Sequence, residues 1–375
     1  MSHSTITGRI LTSKGWLDGA LHVMPNGQIG EVTGSAPASE GAQRYVLPGF
    51  IDVHVHGGGG VDIMQGGATV TDVARLHVQF GTTSLLATTM TAPMAEIQTV
   101  LKHIQVNTQV RPTGSARVLG VHLEGPYINP SKLGAQPAHA KRAFIQEVDA
   151  LCDLVDIRLV TIAPELEGHL DMVEHLSRKG VRVQIGHTLG SYEDGVKALE
   201  KGASGFTHLF NAMTPLKHRE PGMVGAAMAH AEYSEIIPDL LHVHPGAIRC
   251  AHRAIPRLFC VTDSTAAAGM PDGEYKLGSQ VVNKCLGGVR LADGTLAGST
   301  LTMDQALRNL VSIGMSLEEA SNMLSLFPAD YLGLADRGRL ETGAWADVVV
   351  LDAHLKIVEV YVEGERIEFT HVPRS

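Results

Sequence analysis

The sequence predicts an α/β fold, a closed parallel (β/α)8 barrel carrying a small β domain built from both chain ends. Three observations lead to it. Strand-like and helix-like segments alternate through the middle of the 375-residue chain, with eight strand candidates in all. Both ends are rich in short strands and turn dipeptides instead. Histidines and carboxylates stand at successive strand ends, where such a barrel builds its site.

Taken in chain order, "TGRILT", "ALHVM" and "QIGEVT" read as strands joined by turns at Asp18–Gly19 and Asn26–Gly27. "WADVVVLDA" and "KIVEVYVEGERI" repeat this pattern near the other end. Residues 1–47 and 336–375 are therefore assigned to the β domain and 48–335 to the barrel. The barrel strands are "FIDVHV", "TTSLLATT", "VLGVHLE", "IRLVTIAPE", "VRVQIGH", "GFTHL", "SEIIPDLLHV" and "RLFCVTD". Amphipathic stretches such as "HLDMVEHLSRKG" and "SYEDGVKALEKG" lie between them. Two further helices follow the eighth strand, the second ended by Pro328.

Composition narrows the class. The chain is 44% apolar and 18% charged, as a globular protein is. Its net charge of −9, with no basic block, argues against a nucleic-acid partner. An anionic substrate would need a local cationic pocket against that average field. Cys152, Cys250, Cys260 and Cys285 show no C-x-x-C spacing, so neither a zinc knuckle nor a disulfide framework is expected. No leader core and no run of about 18 apolar residues is found, which predicts a cytoplasmic protein without a membrane partner.

The chemistry lies at the strand ends. Glu124, His187 and His208 make a two-histidine, one-carboxylate set for a divalent ion such as Zn or Fe. His54 and His56, two apart on a strand, face the same way and supply donors for a second ion. A bound metal lowers the pKa of water from about 15.7 towards about 7, and Asp263 is placed to take that proton and pass it to a leaving amine. His242 stands past the seventh strand. The glycines Gly57–Gly60 do not form a phosphate loop, because Asp62 stands where the last glycine of G-x-G-x-x-G belongs. They read as a close-packed turn. Asn211, Lys217, His218 and Arg219 share one long loop, either a phosphate handle or a solvated basic segment.

"PGFIDVHVHG", "HLEGPYINPSKLGAQ", "GHT", "THLFNAM", "HREPGMVGA", "HVHP", "VTDSTAAAGMPDG" and "LAGSTLTMDQALRNLV", in that order, resemble the N-acetylglucosamine-6-phosphate deacetylases of the amidohydrolase superfamily. "HVHGGGGVDIM" and "AAGMPDGEY" are also similar to the N-acetylgalactosamine-6-phosphate deacetylases, so both epimers stay open. The resemblance implies a TIM-like barrel with a small β-sandwich, a homodimer, and hydrolysis of the acetamide of a phosphorylated N-acetyl amino sugar. It carries the main metal to Glu124, His187 and His208 and the acid/base role to Asp263. Substrate contacts fall on Ala135, Gln136, Asn211, Ala212, His242, Ala297, Gly298 and Ser299, and phosphate on Arg219 reaching from the neighbouring subunit. One or two ions are expected, zinc first, with Fe, Mn or Co also suited. Two positions depart from the family pattern: Leu240 replaces a common glycine, and Gln136 stands where histidine is frequent. The rival readings are a cyclic-amide hydrolase or deaminase of the superfamily, and a non-catalytic sugar-phosphate-binding protein.

Overall fold

A computed structural model of the protein describes residues 4–369. Six barrel strands pair in parallel in sequence order: β1 Phe50–Val55, β2 Thr82–Thr89, β3 Arg117–Glu124, β4 Ile157–Ile162, β5 Arg182–Ile185 and β6 Gly205–Phe206. β7 (Tyr233–Ile236) and β8 (Arg257–Cys260) form a parallel pair of their own. A few contacts beyond these ladders close the ring. The Leu209 amide donates to the Glu235 carbonyl at 2.9 Å, and Val55 bridges in parallel to Ser264 beyond β8. Strands such as β2 are buried along their whole length, as parallel strands covered by helices must be.

Helices alternate with the strands as expected. The helix Tyr192–Glu200 opens with a reciprocal capping box between Ser191 and Asp194. The stretch assigned to one last helix is two, Leu317–Leu324 and Leu326–Leu332. The break falls at Ser325, whose hydroxyl bonds back to the Ser321 carbonyl at 2.6 Å. Pro328 does not end a helix but sits in the first turn of the second, where its missing N–H goes unneeded.

The chain ends meet in one seven-stranded sheet. Arg44–Pro48 lies at its middle, parallel to Ser4–Thr12 and antiparallel to Val348–Asp352. Asp18–Gly19 is not a turn, since both residues lie inside the strand Gly15–Val23. Asp18 pairs across to Arg9 at 2.8 Å, and a Cβ on Gly19 would stand 1.9 Å from the Thr33 carbonyl oxygen. The glycine there serves close strand approach, and the hairpin reverses between Thr12 and Gly15. An antiparallel flap not foreseen in the sequence follows β8: Gly273–Leu277, Gln280–Cys285 and Gly288–Arg290. No described helix is long and apolar enough to cross a membrane.

An ion network ties the sheet to the barrel. Arg337 reaches Asp347 and Glu363 at 2.5 Å each, and Glu363 also takes Arg117, at the start of β3, at 2.7 Å. Burial opposes charge on Glu363, but its arginines outweigh that and hold it at about 2. Replacing Arg337 with Leu leaves the buried Asp347 unpaired, which is expected to cost roughly 3–5 kcal/mol. A lowered midpoint in denaturant unfolding checks this, and an unchanged midpoint refutes it.

Candidate active site

The candidate residues converge at the C-terminal mouth of the barrel. His54 occupies the penultimate position of β1 and His56 follows its end. Glu124 closes β3. His187, His208 and Asp263 lie just past β5, β6 and β8, all with positive φ: 48°, 30° and 49°. That conformation costs an L-residue about 1–2 kcal/mol, so the surroundings must impose it. They do so through backbone bonds. Asp263 N–H donates to His54 O at 2.9 Å, Ser299 N–H to Asp263 O at 2.8 Å, and Asn129 N–H to His187 O at 2.9 Å. Leu240, standing where the resemblance expects glycine, also takes a positive φ, 65°, in a turn where Asp239 Oδ1 accepts from the Leu241 and His242 amides at 2.9 and 2.8 Å.

Two donor sets share Glu124. On one side its Oε1 lies 3.2 Å from both His187 Nε2 and His208 Nε2. On the other, His56 Nε2 is 3.1 Å from Glu124 Oε2 and 3.3 Å from Asp263 Oδ1. His54 Nε2 is 3.2 Å from His56 Nε2 and 3.5 Å from Asp263 Oδ1. Glu124, His187 and His208 form one compact group of ligand atoms, and His54, His56 and Asp263 another. Imidazole and carboxylate donors facing inward, all buried, fit a divalent metal. Second partners aim the donors: His187 Nδ1 bonds the Lys132 carbonyl at 2.8 Å. Gln136, with Oε1 accepting from the Thr91 amide at 2.7 Å, gives its Nε2–H to Glu124 Oε2 at 2.5 Å.

Above the donors opens a cavity of about 390 Å³, large enough for a phosphorylated monosaccharide. His56, Glu124, His187, His208 and Asp263 form its floor, and Ala135, Gln136, Asn211, Ala212, His242 and Gly298 its walls. The flap adds Leu277. Asp239 holds His242 through Nδ1 at 2.6 Å, turning the other ring nitrogen free of that bond. Ala297 and Ser299 flank Gly298 but are buried outside the lining, and the Ser299 hydroxyl instead bonds the Thr262 carbonyl at 2.5 Å. Arg219 lies elsewhere, exposed in a separate cleft with Tyr192 and Lys217.

Gly57–Gly60 do form a tight turn. Gly59 and Gly60 spend their amides on Ala268 O and Ala266 O, at 2.9 and 2.8 Å, leaving neither for a phosphate. A Cβ on Gly57 would stand 2.5 Å from the Val61 carbonyl oxygen. Sequence reasoning missed Glu235, His122, Lys132 and Asp239. His122 alone carried a signal, because H-x-E with Glu124 repeats the same-face spacing of His54 and His56.

The amidohydrolase family model matches residues 45–369. The chain belongs to the amidohydrolase family. This amidohydrolase is 41% identical to the N-acetylgalactosamine-6-phosphate deacetylase of Escherichia coli O157:H7, covering 98% of this chain and 100% of that protein. It is 37% identical to the N-acetylglucosamine-6-phosphate deacetylase of Lysinibacillus sphaericus, covering 91% of each. Among solved structures, a mutant N-acetyl-D-glucosamine-6-phosphate deacetylase from Mycobacterium smegmatis, in complex with N-acetyl-D-glucosamine-6-phosphate, superposes with a TM-score of 0.90 at 33% identity. That match covers 98% of this chain and 100% of the other.

In the metal-free amidohydrolase the donor groups settle one another's charge. Burial opposes charge on Glu124, yet His54 and the bonds from His187 and His208 hold its carboxyl well below the usual range. Burial likewise opposes charge on His56, but bonds to Asp263 and Glu124 raise it to about 9. A histidine raised from 6.5 to about 9 contributes stability that is full below about pH 6.5 and lost as pH rises through about 9. Asp52, which burial pushes up from 3.8 to about 7 against its bonds from Thr262, acts in the same direction at lower pH, its contribution being gone above about 7. The melting temperature of chelator-treated protein is therefore expected to fall between about pH 7 and pH 9.5, and added divalent metal to restore it. A flat profile without metal contradicts this account.

Proposed function

We propose that this protein is a metal-dependent deacetylase of an N-acetylhexosamine 6-phosphate, releasing acetate and the amino-sugar phosphate. N-acetylglucosamine 6-phosphate is the substrate we assign, with residues 48–335 as the catalytic barrel. One observation carries the reading: the Asp263 carboxylate lies within 3.5 Å of both His54 and His56, on the floor of a sugar-sized cavity. Glu124, His187 and His208 hold the main divalent ion, and His54 and His56 a second where two are bound. Zinc is our first assignment, with Fe, Mn and Co as candidates. When bound, the ion supplies Lewis acidity, polarising the amide carbonyl and acidifying water.

The chain's own residues do the rest. Burial opposes charge on Asp263, but His54 and His56 outweigh it and keep the group ionised, so it is a base ready to accept the water proton. It then returns that proton to the nitrogen as the C–N bond breaks. His242, braced by Asp239, offers its second ring nitrogen to the substrate carbonyl and sugar. Asn211, Ala212 and the Ala135–Gln136 loop wall in the acetamide and ring. Arg219 sits outside this cavity, so in our reading it serves the phosphate of the neighbouring site in a homodimer. A second reading, N-acetylgalactosamine 6-phosphate, is supported by the 41% identical relative.

Acetate release from the two epimers, assayed in parallel with metal content on the same sample, tests the proposal; no release from either overturns it. Asp263→Asn is expected to keep the main ion at Glu124, His187 and His208 but lose at least about 100-fold in kcat. Arg219→Ala is expected to raise KM for the phosphorylated sugar. Mixing Asp263→Asn with Arg219→Ala chains should recover activity once subunits exchange, because the mixed dimer holds one intact site. No recovery rejects the action of Arg219 across subunits.

A further inference from the structure

We infer that Glu235 is the positioning residue that turns His54 toward the second metal position, and so sets how many ions the site carries. The inference rests on the metal-site reading above. Glu235 lies one residue from the end of β7, wholly buried beneath the cavity floor and absent from its lining. It cannot touch substrate there. Its Oε2 is 3.0 Å from His54 Nδ1 and 3.2 Å from the His208 amide nitrogen, while Oε1, also buried, has no hydrogen-bond partner.

A carboxylate buried with one oxygen unpaired is costly, and fold alone gives no reason for it. Other strands bury uncharged Thr88, Thr161 and Gln184, and the buried carboxylate of β1, Asp52, has both oxygens hydrogen-bonded, unlike Glu235. What the carboxylate does provide is direction. A carboxylate only accepts hydrogen bonds, so the His54 nitrogen facing it carries the hydrogen. In the neutral imidazole that an ion requires, the lone pair then stands on Nε2, the nitrogen that faces His56 Nε2 at 3.2 Å, Glu124 Oε1 at 3.4 Å and Asp263 Oδ1 at 3.5 Å. A lone pair aimed there is what an ion needs.

The two donor sets depend on Glu235 unequally. His187 is aimed independently, by the Lys132 carbonyl. His56 Nδ1 has no partner to aim it. Within the His54–His56–Asp263 set, His54 takes its ring orientation from Glu235, whereas the Glu124–His187–His208 set draws only a backbone bond from it, through His208. His54, His122 and Glu235 also lie close enough to hold an ion among themselves. His122 Nε2, however, already meets the Thr161 hydroxyl at 2.8 Å.

The test is metal binding measured without substrate, by titrating chelator-stripped full-length protein with Zn²⁺ or Co²⁺ against a competing indicator. Wild type should bind two ions per chain. Glu235→Leu should keep the tighter ion within a few-fold and weaken the second by about 10–100-fold, the usual cost of losing such a partner. Glu235→Gln retains an acceptor without the charge, so its second ion should weaken less than in the Leu variant but measurably. It also decides the matter if the Leu variant does not fold. Co²⁺ absorption should lose the band of the second ion and keep that of the first. The inference is overturned if wild type takes one ion or three, if either variant binds both as wild type does, or if both ions weaken together. Acetate release by the same wild-type sample keeps the two readings apart. Selective loss of the second ion without any deacetylation would sustain the role of Glu235 and reject the assigned reaction.

Discussion

Imidazole nitrogens and carboxylate oxygens that stand 3.1–3.5 Å apart in a buried pocket cannot all keep their solution charge states. Two carboxylates, Glu124 and Asp263, need compensating positive charge, and four histidine rings compete to supply or share it. Protons meet that need in the metal-free protein, and a divalent ion meets it with fixed geometry and greater charge density. The other features of the mouth serve this arrangement. The left-handed backbone at His187, His208 and Asp263 presents side chains that ordinary strand ends would point away. Gln136 and the Lys132 carbonyl hold Glu124 and His187 in place before any ion arrives.

The scaffold makes such crowding tolerable by spreading its cost. The six donors come from five strand ends, with only His54 and His56 sharing β1, so no single loop bears all the repulsion. Ser264, which follows Asp263 in the chain, bridges in parallel to Val55 and to Ser299 and so joins the barrel beside the donors. The glycine turn after His56 packs against that seam without a side chain in the way. Packing and polar chemistry thus meet in one layer, and displacement of a donor would disturb barrel closure as well.

Much of this was legible in the sequence because two signals coincide. Parallel buried strands read as apolar runs, and the residue that ends each run is the one that reaches the mouth. His54, His56, Glu124, His187, His208 and Asp263 all announce themselves this way. Glu235 does not, since one glutamate inside "YSEII" has no spacing to distinguish it, and its partner His54 is distant in the chain. Asp18–Gly19 misled because a glycine needed for close strand approach looks like one needed for a turn. Pro328 misled similarly, as proline both stops helices and starts them. The flap Gly273–Arg290 escaped because its strands are short and largely exposed, with no apolar alternation strong enough to read.

The central strand of the β domain, Arg44–Pro48, pairs with Val348–Asp352, near the opposite end of the chain. A ribosome adding about 5–20 residues per second needs roughly 15–60 s to supply that partner. Throughout that interval Val46 and Leu47, both fully buried in the finished protein, wait with one strand edge bare. Ser4–Thr12, already made, can cover only the other edge, with Gly15–Val23 paired on its far side. The nascent protein is thus most open to wrong pairing while its barrel is being made, and Val348–Asp352, made only after the barrel, is the strand that seals it.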